Sequence, residues 1–224
     1  MTRKEYDKFD KANANFQALT PLSFIERSAK VFPDHPAIVY GEIKYSWKEL
    51  YARTIKLASA LTKLGIKHGD TVSILSANTP EMIEAHFGVP MSGAVLNTIN
   101  TRLDAETIGY ILNHSEAKVF IVDSELSPQA ESAIELSKNK DLYVIDIVDF
   151  QNAREPKTIG HITYDKFIGS GDADFDWQLP NDEWDAISLN YTSGTSGKPK
   201  GVVYHHRGSY LMSMGTITDW NLPK

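Results

Sequence analysis

Apolar positions along this chain alternate between two rhythms. Leu22, Ile25, Ala29 and Phe32 keep helical spacing behind Thr20-Pro21, an N-cap followed by Pro at the first helical position. Pro33 stops that run. Ala37 to Tyr40 and Ile43 to Tyr45 flank Gly41-Glu42 and predict a short hairpin. Ser46 and Glu49 form a capping box, behind which Trp47, Leu50, Tyr51, Leu57, Ala58, Leu61 and Leu64 mark one face of a long helix ending at Gly65. Short apolar runs follow at Thr71–Leu75, Ala94–Thr98, Val119–Val122 and Leu142–Ile147. Helical patterns lie between them: one opened by Thr79-Pro80-Glu81 and bent or ended at Pro90, one capped by Asp104, and one over Pro128–Ser137. This β-α-β-α-β order predicts an α/β fold, a parallel-rich sheet with helices on both faces. Gly169 to Asp185 reads as a solvated acidic connection. Two more strands, Ala186–Tyr191 and Val202–Tyr204, then flank a Gly/Ser/Thr-rich loop, and a helix follows Arg207.

Composition excludes several classes. The chain has 224 residues, 42% hydrophobic and 23% charged, which is ordinary globular usage and not disorder. There is no Cys, hence no disulfide framework, thiolate metal site or catalytic thiol. The polar start shows no secretory signal, and no run reaches the ~20 apolar residues of a membrane span. The expected location is cytoplasmic. Net charge is −6, which argues against a nucleic-acid partner. Yet Ala186 to Thr218 holds no Asp or Glu, while Lys198, Lys200 and Arg207 lie there. A carboxylate-free segment suits either an anion or a buried strand pair.

The loop YTSGTSGKPKG, residues 191–201, carries the chemistry. Thr192, Ser193, Thr195 and Ser196 offer hydroxyls, Gly194 and Gly197 permit close backbone approach, and Lys198 and Lys200 add charge. Successive amides there can curl into an anion-binding nest, as a polyphosphate requires. The alternative is a flexible linker, which is not expected between two apolar strands. The spacing is not that of a Walker A loop: Pro199 follows Lys198 and a strand follows the loop, so no helix dipole backs the phosphate.

YTSGTSGKPKGVVYHHRG resembles the phosphate-loop signature of AMP-forming acyl-CoA synthetases, within the adenylate-forming ligase superfamily. It departs only at Ser196, where Thr is usual. Pro180 to Ile187, YSWKELYARTIKLASALTKLGIKHGDTV and GAVLNTINTRLDAETIGYILNHSEAKVFIVD extend the resemblance over the chain from Thr20 onward. The resemblance implies the amino-terminal part of an adenylation domain spanning residues 1–224. The implied reaction joins a carboxylic acid to AMP from ATP, then to coenzyme A. By that resemblance Thr192, Ser193, Gly194, Thr195, Ser196, Gly197 and Lys200 hold the β- and γ-phosphates, with Lys198 at a variable position. Thr192 is a weak candidate near Mg2+, and His206 borders the acyl pocket. The HHRG ending resembles enzymes for short- to medium-chain or related acids. The superfamily's later motifs (an acidic Mg2+ ligand, a ribose-binding Asp, a hinge and a C-terminal Lys) have no counterpart here. The chain alone is therefore expected to be catalytically incomplete, and to expose a sheet edge and an apolar patch.

Two other readings fit part of the pattern. A P-loop kinase or ATPase fits the phosphate chemistry but not the spacing. A non-catalytic nucleotide- or calcium-binding module fits Asp172, Asp174, Asp176 and Glu183, which match a calcium loop at positions one, three, five and twelve. Trp177 stands where that loop demands Gly, which argues against it.

Overall fold

In a computed structural model, residues 10–12, 14–139, 141–149, 157–192 and 197–220 are described. The chain begins with α1 (Leu22–Val31), the hairpin β1 (Pro36–Tyr40) and β2 (Ile43–Ser46), and the long helix α2 (Trp47–Lys63). Strands and helices then alternate: β3 (Thr71–Leu75), α3 (Pro80–Met91), β4 (Val95–Thr98), α4 (Ala105–His114), β5 (Val119–Asp123), α5 (Ser127–Leu136) and β6 (Tyr143–Ile147). A short β7 (Ile162–Thr163) and α6 (Tyr164–Gly169) precede β8 (Ala186–Thr192), β9 (Lys200–His205) and α7 (His206–Asp219).

Local chemistry sets these boundaries. Ser46 Oγ accepts from the Glu49 amide, and the Glu49 carboxylate accepts from the Ser46 amide, closing the capping box of α2. Gly65, at φ 95°, lets the chain leave α2 in the left-handed region. Asp104 caps α4 by accepting from the Thr107 amide at 2.7 Å. Pro90 occupies the last turn of α3, which closes one residue later at Met91. At α1, Pro21 is already helical, and the Thr20 hydroxyl accepts from the Leu22 amide.

Seven strands form one sheet in the order β7-β6-β5-β3-β4-β8-β9, parallel throughout except for the final β8-β9 pair. In β5 every residue is buried, as a central parallel strand requires, and alternate side chains serve opposite faces. Val119 and Ile121 join Leu57, Leu61, Ala85, Val89 and Phe167 beneath α2, α3 and α6. Phe120 and Val122 join Ile108, Leu112, Ala130 and Ala133 beneath α4 and α5. A further cluster, including Leu22, Ile25, Leu50 and Met91, packs α1 and the hairpin behind α2.

The acidic connection departs from its sequence reading. Phe175 and Trp177 pack against the cluster behind α2, and Trp177 Nε1 donates to the Tyr51 hydroxyl at 2.9 Å. The Asp172 amide donates to Ser59 Oγ. Gly171 lies so close to α2 that a Cβ there would stand 2.0 Å from the Lys56 carbonyl oxygen. Asp172, Asp174 and Asp176 face outward while the two aromatics anchor the segment. Among the described residues, no helix is long and apolar enough to cross a membrane.

Candidate functional site: a glycine-rich connection between antiparallel strands

β8 and β9 pair antiparallel from Ala186↔His205 to Thr192↔Lys200, so residues 193–199 form the connection at the carboxyl end of β8. That is the edge of an open α/β sheet where ligands bind. Of the expected phosphate-binding residues, Thr192, Gly197, Lys198 and Lys200 are placed. Ser193, Gly194, Thr195 and Ser196 lie outside the described residues. Gly197 has φ 121°, a conformation that side chains rarely adopt, and a Cβ there would meet no neighbour within 4 Å. Glycine is required at this position by backbone conformation and not by crowding.

The stem of this loop is fixed to α4. The Tyr191 hydroxyl and His114 Nδ1 lie 2.7 Å apart, with their rings edge to face. Burial pushes Tyr191 up to about 12, so its hydroxyl stays protonated. On the far side of the loop, Lys198 Nζ stands 5.2 Å from the Tyr110 ring centroid, a cation–π contact. Tyr110 and His114 are one turn apart on α4 and their rings are in contact. Both flanks of the loop therefore rest on one helical face. Sequence reasoning missed Tyr110 and His114, although an aromatic pair at i, i+4 beside the second core cluster was the available signal.

β8 meets β4 through a single ladder pair, Leu96↔Ser188. Side chains reinforce the join. Asn97 Nδ2 donates to the Leu189 carbonyl at 2.6 Å, and Thr98 Oγ1 donates to Asn190 Oδ1 at 2.9 Å. Gly201 faces Tyr191, and a Cβ there would come within 2.9 Å of Leu189 Cδ1.

Charge around the loop is simpler than the sequence implied. The Arg207 guanidinium is held by Glu183 at 2.5 Å, leaving Lys198 and Lys200 as the cations that flank the loop. Glu183 also accepts from the Leu19 amide, and these two bonds, the amide first, draw its carboxyl below the usual range. Glu183 is thus occupied, and Phe175 and Trp177 are packed inward, which removes the geometry a calcium loop needs. Among the described residues, no group of three His, Asp or Glu side chains is placed to hold a metal.

His206 sits at the other end of β9, about 20 Å from Lys200 at the rise of an extended strand. The fold does not bring it to the loop. It is buried, its Nδ1 lies 2.8 Å from Thr20 Oγ1, and it lines a cavity of about 250 Å3 with Met91, Ser92, Phe175 and Trp177. Burial pushes its pKa down to about 4, so the imidazole is neutral at pH 7. His205 caps α7 by accepting from the Gly208 amide.

Comparison with known proteins agrees with this arrangement. The AMP-binding enzyme family matches residues 25–223. Acetate–CoA ligase CCL3 of Humulus lupulus is 43% identical over 232 aligned positions, covering 99% of this chain and 41% of the relative. Acetate/butyrate–CoA ligase AAE7, peroxisomal, of Arabidopsis thaliana is also 43% identical, covering 98% of this chain and 40% of its own length. The chain thus spans about two fifths of the curated relatives it matches. The crystal structure of the anthranilate CoA ligase AuaEII in complex with anthranoyl-AMP superposes with a TM-score of 0.76 at 25% identity, over 88% of this chain and 37% of that one. With the loop, the sheet that presents it and these likenesses in agreement, the chain belongs to the family of AMP-binding enzymes.

Proposed function

We propose that this chain supplies the phosphate-gripping part of an AMP-forming acyl-CoA ligase. A substrate carboxylate oxygen attacks the α-phosphorus of ATP, the bond to the β-phosphate oxygen breaks, and pyrophosphate leaves. The thiol sulfur of coenzyme A then attacks the acyl carbon, its proton is released, and AMP departs. A carboxylate is a poor electrophile, and attachment to AMP gives it a good leaving group. The protein's task is to hold pyrophosphate in line and neutralise it, which is positioning plus electrostatics.

The observation that carries this reading is the hairpin itself. β8 and β9 pair up to Thr192↔Lys200 at the carboxyl end of β8, and the sequence that joins them is rich in hydroxyl and glycine residues, with a lysine on each side of Pro199. In this reading Thr192, Ser193, Gly194, Thr195, Ser196, Gly197 and Lys200 hold the β- and γ-phosphates. Lys198, resting over Tyr110, contributes less. Magnesium would travel with the triphosphate and offset its charge, with Thr192 beside it. Nothing favours the kinase alternative, since a strand follows the lysines where a Walker loop has a helix.

For the acid, the reading takes a short- to medium-chain carboxylate with His206 bordering its acyl group, so the α-phosphate and the acid lie in the roughly 20 Å between the loop and His206. Relatives named for acetate, for acetate and butyrate, and for 2-methylpropanoate support this class. The cavity beside His206 is small, with apolar walls from Pro90, Met91, Phe175, Trp177 and Leu179 beside Asp176, Gln178 and Asn181, which leaves room for a short acyl chain. The location proposed is cytoplasmic; AAE7 is named peroxisomal, and fractionation of expressing cells decides between the two.

The test is product analysis in a protein that joins this segment to the remainder of an acyl-CoA ligase. Butyrate-dependent release of AMP and pyrophosphate is expected, whereas ADP would overturn the assignment. Butyrate-dependent pyrophosphate exchange by the 224-residue chain alone would contradict the view that groups outside it complete the centre.

A further inference from the structure

Thr20 and His206 meet across 186 residues of chain, where the start of α1 crosses the end of β9. Thr20 is fully closed to water, so every polar hydrogen on it must find a partner within the protein. Its hydroxyl has one hydrogen to give and two lone pairs to receive. The Leu22 amide already donates to Thr20 Oγ1 at 3.2 Å. The remaining neighbour is His206 Nδ1 at 2.8 Å. If Nδ1 carried the ring proton, Thr20 Oγ1 would accept twice and its own hydrogen would be buried without an acceptor. If Nδ1 is bare, Thr20 donates to it and every group is satisfied.

We infer that Thr20 is a positioning residue that fixes His206 as the Nε2–H tautomer, making the ring a hydrogen-bond donor toward the cavity it lines. Among the described residues no buried side-chain nitrogen lacks a partner, and no partner is recorded for Nε2. Nε2 therefore reaches accessible space. Burial keeps the ring neutral near pH 7, Asp185 opposing that effect and His68 and His205 adding to it. A neutral N–H in a small pocket with Met91, Ser92, Phe175 and Trp177 suits an acyl carbonyl oxygen, and the Asp176 carboxylate on the same lining favours that uncharged group over a free carboxylate. A bare lone pair at the same point would repel that oxygen. The match to an acyl group rests on the reading of the preceding section; the tautomer does not.

Thr20-Pro21 shows in the sequence as a helix start. Its hydroxyl serves α1 with one lone pair and, across the fold, directs His206 with its hydrogen.

The test uses the 15N-labelled chain and long-range proton–nitrogen correlation spectra of the imidazoles. At pH 7 the His206 ring is expected to be neutral with the proton on Nε2. Thr20→Val should move the tautomer ratio toward Nδ1–H by several-fold, about tenfold at most for one neutral hydrogen bond. Thr20→Ser should restore the wild-type pattern. A wild-type proton on Nδ1, or a folded Thr20→Val chain with an unchanged ratio, overturns the inference. If Thr20→Val does not fold, the wild-type and Thr20→Ser spectra decide alone. Titration with methyl butyrate, which keeps the carbonyl uncharged, is a separate arm. A shift of the His206 Nε2–H signal supports the donor role toward an acyl carbonyl. No shift, with the Nε2–H tautomer intact, counts against the acyl-pocket reading and leaves the tautomer assignment standing.

Discussion

The side chains at the two ends of β9 do opposite kinds of work. At the loop end, Lys200 is exposed and available to an anion, while Lys198 is already engaged over Tyr110. At the other end, His206 is held neutral by burial, with a pKa of about 4 against 6.5 for the free ring. The consequence for stability has a definite sign. Above pH 6.5 the ring is neutral in both the folded and unfolded chain, and His206 adds no pH dependence. As pH falls from 6.5 toward 4, the unfolded chain takes up a proton that the folded chain refuses, so stability falls. The loss should approach about 3.4 kcal/mol below pH 4, at 1.36 kcal/mol for each pH unit between 6.5 and about 4. Chemical denaturation of wild type and His206→Gln at pH 7 and pH 4.5 measures it. The wild type should lose more stability than the variant over that interval; equal losses would mean that burial does not depress this histidine. Little of this was legible beforehand. The sequence names His206 through its place after the loop, but its partner Thr20 is nearly the whole chain away.

Secondary-structure elements were largely legible, because their boundaries depend on neighbours in sequence. The capping box at Ser46 and Glu49, the Asp104 cap and the Gly65 stop all work over a few residues, and each lies where the pattern placed it. β7 and α6 were missed because two strand residues and six helical ones are too few to reveal a period. In the segment 171–179 acidic composition concealed Phe175 and Trp177, whose contacts with α2 are long-range. The same region hides a polar brace that no local pattern announces. Arg53 on α2 donates from Nε to Glu84 on α3 at 2.5 Å and reaches Asp165 on α6 at 3.3 Å. Tyr164 donates to the same Glu84 at 2.9 Å. Burial pushes Glu84 up to about 7 although Arg53 opposes that shift. Glu84→Ala leaves the Tyr164 phenol without its partner and Arg53 with only the exposed Asp165, and should cost about 3 kcal/mol, the lower end for breaking a buried pair. Glu84→Gln should cost less, because an amide still accepts from Tyr164. Urea denaturation midpoints of the two variants check the order, and a neutral Glu84→Ala would show that the brace adds nothing.

At the scale of the molecule, the chain is well packed on one side and open on the other. The centre of the sheet is covered on both faces, while β9 is exposed along most of its length. Val203, Leu211, Met212, Met214, Ile217 and Trp220 present apolar surface from β9 and α7, with Trp220 75% exposed. The expected exposed edge and apolar patch are both present, in a chain that spans about two fifths of its curated relatives. An uncovered strand edge of this kind invites pairing with another chain. Val203→Lys places a charge on that edge and should lower self-association of the purified chain, as read by light scattering against concentration. An unchanged profile would show that the β9 edge does not drive association. The family was legible because its signature is a contiguous loop; what holds that loop was not, because Tyr110 and His114 lie some eighty residues upstream of it.

Whether the loop between β8 and β9 embraces the phosphates of a nucleotide is measured most directly by titrating MgATP into the 15N-labelled chain and following backbone amides. The largest shifts are predicted at residues 192–200. Lys200→Ala should weaken the response about tenfold or more, as loss of a charge-assisted contact implies, and Lys198→Ala should weaken it less. Saturating MgATP that leaves those amides unmoved, or that shifts only residues elsewhere on the chain, would contradict the account.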